Sequence, residues 1–105
     1  MLPSDNYDTL HARLNRETAR LGWAELQPHF AGGSMVAVDP SLDLVDVAVR
    51  IAQDDSTAIG QWLGAGLLGK VSDAQAGAWT QDAPMLWTVI VKPWILVQPD
   101  APVAN

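Results

Sequence analysis

The stretch Met85–Val97 constrains this chain more than any other. Trp87, Val89 and Val91 alternate with Leu86, Thr88 and Ile90, so an extended segment here is apolar on both faces. Such a strand is covered on both sides or packed at an interface. Pro93 has no N–H to give to a ladder. It therefore divides the run into a strand over 85–91 and a second over 94–98, with a bulge or bend at Lys92-Pro93. A hairpin is the alternative, although Lys-Pro is poor chemistry for a two-residue hairpin loop.

A second apolar stretch, Leu42 to Asp54, has helical rather than strand period. Asp43, Asp46, Arg50 and Gln53 recur on one narrow stripe, and nearly everything else is aliphatic. A helix with so thin a wet face is clamped between layers or between subunits. Asp39-Pro40-Ser41 before it reads as a strand-to-helix turn, with Asp39 or Ser41 as cap. Met35–Val38 is then a short buried strand.

The remaining elements follow from their punctuation. Residues 6–21 read as an amphipathic helix carrying Leu10, Leu14 and Leu21, stopped by Gly22. A shorter helical piece spans 24–31 and contains Pro28. Asp55 or Ser56 caps a helix to Ala65 that buries Ile59, Trp62 and Leu63, with Gly66 as its stop. Residues 67–71 form a short strand. Ser72 with Gln75 has capping-box spacing, opening a helix over 73–81. The sum is an α+β single domain over 6–98, about five helical segments on a small mixed sheet of three to four strands, between flexible ends at 1–5 and 99–105.

Composition narrows the function classes. With 105 residues the chain is of ordinary single-domain length. It has no cysteine, so disulfides and thiolate chemistry are excluded. The formal charge of −6 opposes a nucleic-acid backbone; Arg13, Arg16 and Arg20 are the only basic cluster, and Glu17 among them pairs at helical spacing with Arg13 and Arg20. No apolar run is long enough for a membrane span, and no basic-then-apolar leader opens the chain. The cytoplasm is the expected location, with neither nucleic acid nor membrane as partner.

Several motifs invite a chemical reading. Gly64-Ala65-Gly66-Leu67-Leu68-Gly69-Lys70 matches two phosphate-loop patterns. Both need a strand before the glycines and a helix after, whereas these glycines follow a helix, and Val71 stands where a magnesium-binding hydroxyl belongs. His11 and His29 have no partner at i+4. Asp39, Asp43, Asp46, Asp54 and Asp55 are explained by caps and turns, and no calcium-loop spacing occurs. Serines lack a nucleophile elbow. No cofactor, metal site or catalytic residue is expected from these patterns. A hydrolase using a histidine with a carboxylate would require His11 or His29 to meet an acid in a cleft.

Five tryptophans against one Phe and one Tyr is the compositional oddity. Trp62 and Trp79 read as core. Trp87 and Trp94 flank Pro93, and tryptophan is frequent in interaction hot spots.

The phrases Leu14-Asn15-Arg16-Glu17-Thr18-Ala19, Trp23-Ala24-Glu25-Leu26, His29-Phe30-Ala31-Gly32, Leu42-Asp43-Leu44-Val45-Asp46-Val47-Ala48 and Leu86–Gln98 stand in an order that resembles a small bacterial family, domain of unknown function 2288. The resemblance covers residues 10–98, and Leu-Trp, a β-run, Pro-Trp and a second β-run is its most specific part. It implies a bacterial cytoplasmic protein of one domain and brings no catalytic residue, cofactor or ligand with it.

The expectation is a non-catalytic interaction or regulatory domain that forms a homodimer or binds another protein through Trp87, Lys92, Pro93 and Trp94. One alternative is a small-molecule site, a tryptophan-lined pocket with His29 and Asp39 as its polar groups. The other is the histidine–carboxylate hydrolase.

Overall fold

The structure, a computed structural model, describes residues 3–100, and the side chains from Thr9 onward. The remainder of the expected flexible ends lies outside the described residues. Element order is α1 (Pro3–Glu17), β1 (Ala19–Gly22), α2 (Trp23–Phe30), β2 (Met35–Val38), α3 (Leu44–Ala52), α4 (Ser56–Gly64), β3 (Leu68–Lys70), α5 (Asp73–Asp82), β4 (Met85–Val91) and β5 (Trp94–Gln98). The five strands form one mixed sheet in the order β1-β4-β5-β2-β3. Only the β2–β5 pair is parallel.

The sheet has five strands rather than three or four because the helix expected over 6–21 ends at Glu17. Thr18 Oγ1 donates to the Leu14 carbonyl at 2.8 Å, and the Thr18 N–H turns to Asn15 instead. The helical ladder stops there, and Ala19–Gly22 pairs with Thr88–Met85 as an edge strand. Leu21 keeps a helical spacing from Leu14, but its side chain joins a different cluster, on the far side of the sheet. Pairing with β4 overrides the local pattern.

Pro93 lies in a tight turn and not at a bulge or bend between strands. β4 and β5 form a two-residue hairpin, with Val91 opposite Trp94 and Trp87 opposite Gln98. The Lys92–Pro93 bond is cis, the proline geometry that belongs to a tight turn, and in the loop the missing N–H takes nothing from the ladder.

Strand alternation divides the core in two. Val36, Val38, Leu68, Val89 and Leu96 face α1 and α3, with Leu14, Leu44, Val47, Ala48 and Val49 packed on them. Met35, Leu86, Val97 and Val71 face α2 and α5, with Trp23, Leu26 and Ala76. The apolar reading of both β4 faces is thus met by helices on both sides of the sheet.

The α3 side chains behave as the thin polar stripe implies. Val47, Ala48 and Val49 are almost fully buried, and each buried Val or Leu contributes about 1.5–3 kcal/mol. Arg50 on the wet stripe lies 3.9 Å from Asp46 and 3.3 Å from Asp55; at such exposure each pair is worth only about 0–1 kcal/mol. The α3 cap is Asp43, not Asp39 or Ser41: its carboxylate accepts from the N–H groups of Val45 and Asp46 at 3.0 and 3.2 Å. Asp39 is occupied by the Ser41 N–H and hydroxyl, a local turn that holds residues 39–42 outside the helix. Gln98 at the end of β5 secures that turn, donating from Nε2 to the carbonyls of Asp39 and Leu42 at 3.0 and 2.7 Å.

Asp55 caps α4, and Ser72 with Gln75 forms the capping box of α5. Gly66, at φ +74°, takes the left-handed conformation that turns the chain from α4 into β3. Leu63, expected inside, is 52% exposed.

Candidate functional site

The hairpin places Trp94 on the same sheet face as Val36, Leu96 and Val91, against Ile51 of α3. It is half-buried, and it separates two depressions. One, between α3, α4, β2 and β3, has a volume of about 290 Å³ and is lined by Val36, Ile51, Ile59, Leu63, Leu68 and Trp94, with Gly69 and Lys70 at one side. The other is larger, about 750 Å³, between α1, the end of α3 and the hairpin. Leu14, Ile51, Val91 and Trp94 give it an apolar floor, and Ile90 lies on its rim. Its charged groups are Arg13, Lys92, Glu17 and Asp54, two of each sign. Arg13 and Glu17 lie 3.9 Å apart along α1, both exposed.

Of the residues expected to form an interaction surface, Lys92, Pro93 and Trp94 come together at the hairpin end, the first two exposed. Trp87 faces the same way at the opposite end of β4, roughly 13 Å off at ~3.3 Å per residue. It is 39% exposed, but its polar edge is held. The indole N–H donates to Asp100 Oδ1 at 3.0 Å. Arg20 Nη2 meets Asp100 Oδ2 at 2.6 Å, and its guanidinium lies 5.3 Å from the Trp87 ring centre. Asp100 therefore bridges a cation and an indole that already stack. Cation–π contacts this exposed are worth about 0.5–1 kcal/mol.

His29 and Asp39, paired in the small-molecule reading, lie apart. His29 is exposed in the last turn of α2. Asp39 borders a polar depression of about 290 Å³ with Lys70, Gln75 and Pro99, which His29 does not reach. The Ser41 hydroxyl, and then its N–H, hold the Asp39 carboxyl below its ordinary value of 3.8, because both hydrogen bonds favour the ionised form. The glycine-rich run Gly64–Lys70 leaves a helix and enters a strand, the reverse of a phosphate loop. Among the described residues, no group of three or more His, Asp or Glu is placed to hold a metal ion, and no helix is long and apolar enough to cross a membrane.

Sequence reasoning missed Ile90, Leu63 and the Arg20–Asp100–Trp87 contact. Ile90 is 54% exposed although β4 is an interior strand of the sheet. β1 stops pairing at Thr88, so beyond that point β4 has a strand on one side only. The shortness of β1 is a tertiary fact with no local signal. Arg20 reads as helix surface until β1 exists.

A family model described as "Protein of unknown function (DUF2288)" matches residues 9–99. Among solved structures, the chain is similar to one titled "NMR solution structure of PA1075 from Pseudomonas Aeruginosa", at 42% identity and a TM-score of 0.80, covering 100% of this chain and 97% of that one. No curated protein matches it.

Proposed function

The chain belongs to the DUF2288 family, and from that premise we propose that it is a non-catalytic interaction domain that pairs with a second copy of itself through the end of the β4–β5 hairpin. The observation that carries this reading is Ile90, an isoleucine on an interior strand that remains 54% exposed, close in the hairpin to exposed Lys92 and Pro93 and half-buried Trp94. By strand alternation Ile90 and Trp94 lie on opposite faces of the sheet, so the apolar surface runs around the open edge of β4 beyond Thr88, and exposed aliphatic side chains at such an edge are what protein interfaces are made from.

Charge favours a like partner. The chain as a whole carries −6, so two copies repel on average. Around the groove beside Ile90, Arg13 and Lys92 offset Glu17 and Asp54. Copies related by a two-fold axis meet there with opposite charges available on both sides. The open outer edge of β4 beyond Thr88 adds unpaired backbone groups next to the same patch.

Light scattering across a concentration series tests this. The expected result is a mass that rises to that of a dimer, and falls to monomer in Ile90→Asp, which adds a charge to an exposed position without removing core. Trp94→Ala weakens association and Trp87→Ala, at the far end of the strand, does so less. A monomer at millimolar concentration, or a dimer indifferent to Ile90→Asp, refutes the reading.

A further inference from the structure

The apolar depression of about 290 Å³ between α3, α4, β2 and β3 is distinct from the hairpin end, although Trp94 and Ile51 border both. Its lining is one-sided chemically. Val36 and Leu68 form the floor, and Ile51, Ile59 and Trp94 the walls. Leu63 stands 52% exposed at the mouth, and among the described residues Lys70 is the only charged one that lines it. Among the described residues no carboxylate lines this depression, although acids outnumber bases twelve to six in the chain. Lys70 has no ion pair among the described residues. It also borders the polar depression that holds Asp39, but the Asp39 carboxylate is engaged by Ser41. An apolar depression with a single cation at its edge matches a ligand with an apolar body and one negative end.

We propose that this depression binds a small monocarboxylate with an aliphatic or aromatic body, the body among Val36, Ile51, Ile59, Leu68 and Trp94, and the carboxylate at the Lys70 ammonium. The site does not depend on self-association. Binding leaves Leu63 covered and places the ligand's carboxylate at the protein surface, where it stays partly hydrated. The volume lies at the small end of the range of ligand sites, so the body is a short chain or a single ring.

The test is an amide and indole N–H NMR titration of the full chain with octanoate, octanol and octylamine. Octanoate is expected to saturate with a Kd below about 1 mM, shifting the Trp94 indole and the Leu68–Lys70 amides while the buried Trp23 indole stays in place. Octanol binds more weakly and octylamine more weakly still. Lys70→Met lowers octanoate affinity about tenfold, the scale of one charge-assisted hydrogen bond, leaves octanol unchanged, and brings the two ligands level; Lys70→Arg retains the preference for octanoate. Ile59→Trp, which fills the depression, removes binding of both. An unchanged spectrum outside the site shows that each variant is folded. The proposal is overturned if octanol or octylamine binds as well as octanoate, if Lys70→Met leaves octanoate affinity intact, or if no saturable shift appears. Light scattering on the same samples separates this result from the dimer: either can fail while the other stands.

Discussion

The two faces of the sheet are closed by different means. Beneath α2 and α5 an aromatic cluster is set into the aliphatic filling. Trp23 is 2% exposed, with Trp79 at 5.2 Å and Phe30 at 6.2 Å, both edge-on, and its indole N–H donates to Thr80 Oγ1 at 3.0 Å. Beneath α1, α3 and α4 the buried filling is aliphatic, and Trp62 and Trp94 are only half-buried at its margin. The aromatic face needs only two short helices, because each ring covers a large area and its polar atom finds a partner. The aliphatic face uses three helices and still leaves both depressions around Trp94. Tryptophan buried with its N–H satisfied serves stability here, whereas tryptophan at the margin of a groove leaves surface available for contact.

That contrast can be broken by experiment. Trp23→Ala removes the centre of the aromatic face and is expected to cost about 3–5 kcal/mol, whereas Trp94→Ala, beside space that already exists, costs about 1–2 kcal/mol. Denaturant unfolding compares them, and equal losses would erase the distinction. Asp43→Ala removes the cap of α3, the helix that holds the aliphatic face together, and is expected to cost about 1 kcal/mol. It should lower the midpoint without changing the slope of the unfolding curve. The smallest effect lies at the turn entering α3. Ser41→Ala withdraws the hydroxyl that holds the Asp39 carboxyl low, so an NMR titration should find that carboxyl moved up toward 3.8. A carboxyl held low in the folded state adds stability above its unfolded pKa and loses it as pH falls through the folded value. The variant should therefore be more nearly indifferent to acidification below about pH 4.

Much of this was legible in the sequence, for identifiable reasons. The α3 stripe, the Ser72–Gln75 box and the two-sided apolar β4 are local patterns, and local patterns survive folding. β1 was not legible. Thr18–Gly22 continues a helical spacing, and only β4 decides otherwise. Pro93 signals a break, but whether the two strands then pair back on each other is settled by the β4–β5 register, which no local spacing reveals. At the candidate site, Lys92, Pro93 and Trp94 could be named from their position around the break. Ile90 could not, because its exposure depends on where β1 ends. Trp23 carried no periodic signal either, since α2 is short and Leu26 is its only other buried residue.

The most direct test of self-pairing through the hairpin is an isotope-filtered NOE experiment on a mixture of labelled and unlabelled chains, which detects only contacts between copies. Cross-peaks from the Ile90 methyls and the Trp94 ring to the partner copy are the predicted result. Contacts confined to α2 and α5, or none at any concentration, would contradict it.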